Sequence, residues 1–295
     1  MESSKISSEY KFMVSGAVNA GISYLRDNSN IKTLVLGISG GVDSAVIAAL
    51  ARKICDGLKK EGREITLSGY SLKILSNKKE EIERADIVGR TYCDEFAEVN
   101  LAETFLGILR GVDSLLYEKY IQGIDGKMLT HEEKIRMGNI KARTRMIFLY
   151  NKAQEQKGLV LSTDNLTEYY LGFWTLHGDV GDLGLIQELW KTEVFGMADV
   201  IGQPVLRCAN AVPTDGLGIT NSDIDQLLPN WTAEMGDYIK AYNVVDNILI
   251  DYLSGVYTGS TKHPVIQRYE ATKFKRTNPV NIKRAMLLWV HNPTV

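Results

Sequence analysis

Apolar positions along the chain switch between two spacings. From about Glu9 to Leu25 they fall at Phe12, Val14, Ala17, Val18, Ile22 and Leu25, the spacing of an amphipathic helix. A short apolar run rich in β-branched residues, about Lys32 to Ile38, predicts a strand, and the Ala-rich apolar stretch after Ser44 predicts a helix to about Leu58. The pattern then repeats. Ile65–Leu72 reads as a strand, Asn77–Tyr92 as a charged helix with isoleucines at helical spacing, and Phe96–Leu101 as a third strand. Ala102–Tyr120 reads as a helix, the chain loops from Gly123 to Glu132, a helix containing Gly138 runs to about Gln156, and Gly158–Ser162 is a fourth strand. Strands alternating with helices imply right-handed crossovers and a parallel sheet covered by helices on both faces, a Rossmann-like α/β fold. In such a sheet the ligand lies beyond the carboxyl ends of the strands, where the winding reverses.

The second half is less regular. Gly172 to Leu185 is a loop rich in Gly and Asp, Glu188–Ile201 a helix, and Cys208–Thr220 a loop containing Pro and Gly. A short helix through Leu228 and a long amphipathic helix from about Ala233 to Val256 follow, and the tail Lys273–Pro279 is basic and can be mobile. No internal repeat or linker divides the 295 residues, so one domain covering 1–295 is expected. A net charge of −2 disfavours nucleic acid as the main partner. Cys55, Cys93 and Cys208 are too scattered for a metal cluster or a CxxC pair and read as reduced. No apolar run is long enough for a membrane span and the N-terminus has no signal-peptide pattern, so a cytoplasmic enzyme is expected.

The chemistry centres on Gly37-Ile38-Ser39-Gly40-Gly41-Val42-Asp43-Ser44, at the junction of first strand and following helix. Strand, glycine turn and helix start form a phosphate cradle: the glycines let the backbone approach a ligand, and the N–H groups of the first helical turn point at it. The G-x-x-x-x-G-K-[ST] pattern is absent, because no lysine follows Gly41, and so is G-x-G-x-x-G. The plain alternative makes this an ordinary turn with Asp43 as helix cap. Gly111-Val112-Asp113-Ser114 repeats four of its letters without a strand before it, and is read as a turn or helix interior without chemistry. Thr163-Asp164-Asn165 ends the fourth strand as a polar, helix-capping cluster, and Glu168 just beyond it can reach back to the same ligand edge. Lys191 near a helix start opposes the helix dipole, a hint that it serves something else.

The Ser39–Ser44 hexapeptide resembles the pyrophosphate loop of the ATP pyrophosphatases. Further motifs follow in order: Gly138-Asn139 with Lys141-Ala142-Arg143 and Arg145-Met146; Ser162-Thr163-Asp164-Asn165 with Glu168; Gly172-Phe173, Thr175 and Gly178-Asp179; Lys191-Thr192-Glu193-Val194; Pro213-Thr214; and Gly218-Ile219-Thr220 with Asp223-Ile224-Asp225. From about Ile31 to Pro279 the chain therefore resembles the ammonia-dependent NAD synthetases, without a glutaminase domain.

The resemblance implies that a nicotinate carboxylate of deamido-NAD attacks ATP, giving an adenylate and pyrophosphate, after which ammonia releases AMP and yields NAD. It implies ATP contacts from Gly37, Ile38, Ser39, Gly40, Gly41, Val42, Asp43, Ser44, Thr163, Lys191 and Thr214. Magnesium would be held by Asp43 and Glu168, with Lys191 catalytic beside them, and deamido-NAD by Arg143, Asp182 and Lys275. It also implies a two-fold homodimer, which Trp231 and the ring-rich stretch with Tyr238, Tyr242 and Tyr252 support as more apolar surface than one sheet needs. Three places depart from the family pattern. Leu176 stands where a lysine is usual, Phe274 where a histidine is usual, and Lys73-Ile74-Leu75-Ser76 where a Pro-Tyr pattern is usual. The alternatives are another ATP pyrophosphatase, acting on a different carboxylate or a tRNA base, and a non-catalytic nucleotide-binding protein.

Overall fold

The computed structural model describes residues 2–123, 129–213, 223–231, 237–277 and 281–283. Its centre is a five-stranded parallel sheet in the order β3-β2-β1-β4-β5, from β1 (Thr33–Gly37), β2 (Thr66–Lys73), β3 (Glu95–Asn100), β4 (Gly158–Ser162) and β5 (Leu183–Gly184). Thr33 pairs with Thr66 on one side and Gly158 on the other, so β1 lies between β2 and β4. The chain winds outward from β1 to β3, then returns past β1 to lay down β4. The winding thus reverses between β1 and β4, and the crevice opens between the loops that leave these two strands.

Alternation along the strands divides the interior into two cores. Leu34, Leu36, Leu67, Leu159 and Leu161 face one side, against α1 (Glu2–Asp27), α2 (Val42–Lys60), α3 (Lys79–Tyr92), α8 (Lys191–Ile201), α9 (Val205–Ala209) and α11 (Tyr238–Leu253). Val35, Tyr70, Leu72 and Val160 face the other, against α4 (Ala102–Val112), α5 (Ser114–Gln122) and α6 (His131–Glu155). Burial on both faces explains why β1 reads as a continuous apolar run. The remaining helices, α7 (Leu166–Leu171), α10 (Asp223–Leu227) and α12 (Pro264–Ala271), surround the carboxyl edge with a 3-10 turn at Lys273–Lys275.

The parallel α/β architecture agrees with the periodicity, and four strands lie within a residue or two of their predicted bounds. Four local differences have physical causes. The helix expected from Ala102 to Tyr120 breaks at Asp113, whose carboxylate caps α5 by accepting from the Leu116 N–H at 3.0 Å. The repeated letters at Gly111–Ser114 therefore mark a helix break. The two-residue β5 is too short for any period to reveal; the backbone N–H and the carboxylate of Asp182 both bond to Val160 and start it. α12 begins at Pro264, a residue suited to the first helical position. The basic stretch that the sequence leaves free to move is tied down at Lys275 and Arg276: the Lys275 Nζ donates to the carbonyls of Gly172 and Trp174 at 2.7 and 2.5 Å, and Arg276 donates to that of Tyr170 at 2.7 Å.

Candidate active site

The loop after β1 is stitched by its own hydroxyls. Ser44 Oγ accepts from the Ser39 N–H at 3.2 Å and donates to the Gly41 carbonyl at 3.1 Å, while Ser39 Oγ accepts from the Gly41 N–H at 3.2 Å. Gly40 has φ +83°, and a Cβ there would collide with the Glu81 backbone carbonyl at the start of α3. Only glycine meets both demands. The cap of α2 is Gly41, without a side-chain bond, and Asp43 is in the first turn. This removes the capping role for Asp43, whose carboxylate turns away to other partners.

Those partners come from the far side of the crevice. Asn165 caps α7, accepting from the Glu168 N–H at 3.0 Å, and its Nδ2 donates to Asp43 Oδ1 at 3.0 Å. The Lys191 Nζ donates to Asp43 Oδ2 at 2.5 Å and Glu168 Oε1 at 3.0 Å. Lys191 is the first residue of α8, and its unfavourable place at a helix N-terminus is offset by buried Asp246 from α11. Asp246 accepts from the Thr192 N–H at 3.0 Å and from the Thr167 hydroxyl at 2.6 Å, and that hydroxyl in turn accepts from the Lys191 N–H. Three elements thus aim one ammonium between two carboxylates.

Burial pushes the Glu168 carboxyl up to about 8, against the opposing pull of Lys191. Burial also penalises the Lys191 ammonium, but Asp43 and Glu168 outweigh this and hold it well above its usual value. Two carboxylates on one cation are hard oxygen donors of the kind that suit magnesium. Among the described residues no group of three or more His, Cys, Asp or Glu could hold a metal. The pair therefore fits an ion that arrives with phosphate oxygens and water completing its shell, rather than one caged by protein alone.

Two cavities meet here. One, of about 490 Å³, is lined by the loop from Gly37 to Ser44, Thr163, Glu168 and Lys191. The other, of about 770 Å³, is lined by Arg143, Tyr150, Tyr169, Trp174, His177 and Lys275, among others. Met146, Asp164, Trp174 and Lys275 line both. Asp164 accepts from the Ser162 hydroxyl at 2.6 Å, and burial, with Asp179 nearby, pushes its carboxyl up to about 7.

The structure brings together most of the residues expected from sequence: the loop, Asp43, Thr163, Glu168, Lys191 and Lys275 share the first cavity, and Arg143 and Lys275 line the second. Arg143 is braced by the Leu176 carbonyl at 2.7 Å. Asp182 stands behind Tyr150 of the second cavity: its oxygens accept from the Val160 N–H at 2.9 Å and the Tyr150 hydroxyl at 3.0 Å. Thr214 lies outside the described residues. Phe274 is 63% exposed. Sequence reasoning missed Asp164 as a wall common to both cavities, having read it only as part of a capping cluster. It also missed Arg84, which lines the first cavity from a helix that reads only as charged. The rings expected at a dimer interface are used within the chain. Tyr242 is buried in the core, Trp231 and Tyr238 pack against it, and Tyr252 packs on Tyr257 and Tyr269.

Comparison with known proteins converges on one family. Residues 17–279 match the profile described as NAD synthase. The NH(3)-dependent NAD(+) synthetase of Finegoldia magna is 34% identical over 72% of this chain and 78% of its own length. That of Alkaliphilus oremlandii is 31% identical over 89% of this chain and 94% of its own. In fold, the NMN synthetase from Francisella tularensis superposes with a TM-score of 0.70 at 24% identity, covering 93% of this chain and 98% of that one. No helix among the described residues is long and apolar enough to cross a membrane. With its pyrophosphate-type loop, its carboxylate pair and a profile match over most of its length, the chain belongs to the NAD synthase family.

Proposed function

We propose that the chain catalyses the ATP-dependent amidation of deamido-NAD to NAD with ammonia, releasing AMP and pyrophosphate. The observation that carries this reading is the wall shared by the two cavities. A nucleotide triphosphate on the loop and a carboxylate substrate in the larger cavity meet at Met146, Asp164, Trp174 and Lys275. The carboxylate oxygen forms a bond to the α-phosphorus, the bond to the bridging oxygen of the β-phosphate breaks, and its electron pair leaves with pyrophosphate. Ammonia then bonds to the acyl carbon, AMP departs, and one proton is released.

The chain's contribution is mostly positioning and charge. Loop N–H groups and the serine-stitched turn hold the phosphates, Lys191 screens them, and Thr163 lines the nucleotide side. Arg143 and Lys275 grip the dinucleotide, with Asp182 acting through Tyr150. Asp43 and Glu168 would hold magnesium, which when bound offsets charge on the phosphate oxygens. Incubation with ATP, magnesium, ammonia and deamido-NAD is expected to yield NAD, AMP and pyrophosphate in equal amounts, read by chromatography. ADP and phosphate as the nucleotide products would overturn the reading.

The same reading includes a two-fold homodimer that completes the larger cavity. What supports it is the outer face of α6, where Ile147 is 61% exposed beside Arg143 and Tyr150 at the cavity rim. Closed two-fold dimers are also the commonest soluble oligomers. Sedimentation at micromolar concentration is expected to give twice the chain mass, and Ile147→Glu to shift it toward one chain while raising the KM for deamido-NAD. A monomeric wild type with full activity would refute the dimer.

A further inference from the structure

The loop has no lysine of its own, so cations that meet the triphosphate must come from elsewhere. Among the described residues, five lysine and arginine side chains line the loop cavity: Arg84, Arg145, Lys191, Arg268 and Lys275. Lys191 is committed to Asp43 and Glu168. Lys275 donates to two backbone carbonyls and is assigned to the dinucleotide side. Arg268 donates to the Leu171 carbonyl and Gln226 and stacks 3.7 Å from the centre of the Phe173 ring. Arg145 reaches the Leu72 carbonyl and Asn77, each at 3.3 Å. Arg84 differs from all four. Its Nε donates to the Gly40 carbonyl at 2.8 Å, and among the described residues its two terminal nitrogens have no hydrogen-bond or ion-pair partner.

Three features make this contact specific. Gly40 is the left-handed residue of the loop, pressed against the Glu81 carbonyl, so α3 is locked to the loop at the point where the turn is tightest. Arg84 lies one helical turn beyond Glu81 and is half-buried, so its guanidinium is held against the loop rather than free to sweep through solvent. A guanidinium fixed by its Nε keeps its two outer nitrogens as a coplanar pair, the arrangement that binds two phosphate oxygens at once.

We propose that Arg84 is a binding residue for the β- and γ-phosphates of ATP and for the pyrophosphate that leaves. The Nε bond to Gly40 orients the guanidinium, and the outer nitrogens take the phosphate oxygens on which the electron pair of the broken bond accumulates. The role deepens the reading given under Proposed function and rests on it. It assigns to α3 a charge of the kind that a lysine supplies in other phosphate loops, in addition to that of Lys191.

The test uses pyrophosphate itself as the probe, so that binding is separated from turnover. Calorimetric titration with magnesium pyrophosphate, and separately with AMP, is compared for wild type, Arg84→Gln and Arg84→Lys, with thermal melting of each. Arg84→Gln is expected to weaken pyrophosphate binding tenfold or more, leave AMP within twofold and raise the KM for ATP. Arg84→Lys, which keeps the charge but loses the fork, is expected to fall between. Pyrophosphate affinity unchanged in Arg84→Gln would overturn the proposal. Equal weakening of pyrophosphate and AMP with a lowered melting temperature would also overturn it, because it marks Arg84 as a brace for the loop alone. If the wild type binds neither ligand, the nucleotide reading falls together with the proposal. If it binds pyrophosphate through Arg84 yet does not amidate deamido-NAD, only the substrate assignment falls.

Discussion

Asp43→Asn and Glu168→Gln are each expected to lower the rate of adenylate formation by about 10²–10³-fold while the fold survives. Asn at 43 can still accept from Asn165, and Lys191 still meets Glu168, so the contacts across the crevice persist. Gln at 168 resembles the protonated carboxyl, the form that burial favours up to about pH 8. The sign of the pH effect follows. The folded Glu168 binds its proton more tightly than the unfolded chain does, so its contribution to stability is complete below the ordinary glutamate range and is lost as pH rises through about 8. Without metal, Glu168→Gln should therefore melt near wild type at about pH 4 and increasingly above it as the pH rises to about 8. Magnesium must compete with that same proton, so its apparent affinity in the wild type should rise with pH up to about 8 and then level off. The measurements are single-turnover adenylation against magnesium concentration, and melting across pH. Wild-type rates with wild-type magnesium dependence in both variants would remove Asp43 and Glu168 from the site.

The sequence exposes this pair because strand ends are legible. Leu34–Leu36 and Leu159–Leu161 are apolar runs stopped by Gly or Ser, and the residues just past them must fall at the carboxyl edge of one sheet. That Asp43 and Glu168 meet follows from the winding, since β1 and β4 flank the reversal. Lys191 is legible for a different reason: an ammonium at a helix start is locally unfavourable, and a cost borne locally points to a use elsewhere. What the sequence does not reveal is contact set by tertiary packing. Nothing in the charged helix Asn77–Tyr92 marks Arg84 as facing the loop, because that depends on Gly40 meeting the Glu81 carbonyl. The same limit hides β5, whose two residues hang on the bonds of Asp182 to Val160. Ring-rich composition near Tyr242 and Tyr252 does not by itself mark an interface, since rings fill cores as readily as interfaces, and here they pack within the chain.

Lys191→Met is expected to cost both catalysis and stability, and the two losses should separate with pH and with magnesium. Removing the ammonium leaves Asp43 and Glu168 facing each other across the crevice with no cation between them, and Asp164 adds to the repulsion on Glu168. Breaking a buried pair from one side costs about 3–5 kcal/mol, because the remaining charge is stranded. At about 2–4 °C per kcal/mol for a domain of this size class, the melting temperature at pH 8 should fall by roughly 10 °C. Lys191 itself adds no slope across this range. Its folded value is raised, so its contribution is complete below the ordinary lysine range and is lost only as pH climbs through the higher folded value. The slope comes from Glu168, which the variant holds still more tightly to its proton. The deficit should therefore be level up to about pH 8 and widen above it. Magnesium binds the folded carboxylate pair and not the unfolded chain, so about 10 mM of it should restore part of the melting temperature. Adenylation should not recover with it, because the ion then stands where the ammonium stood and the phosphates have lost one positive charge. Lys191→Arg, with its charge kept but its planar head unsuited to two contacts at 2.5 and 3.0 Å, should recover stability better than rate. A Lys191→Met variant that melts at the wild-type temperature at pH 8, or that gains nothing from magnesium, would mean that the lysine does not hold these carboxylates together.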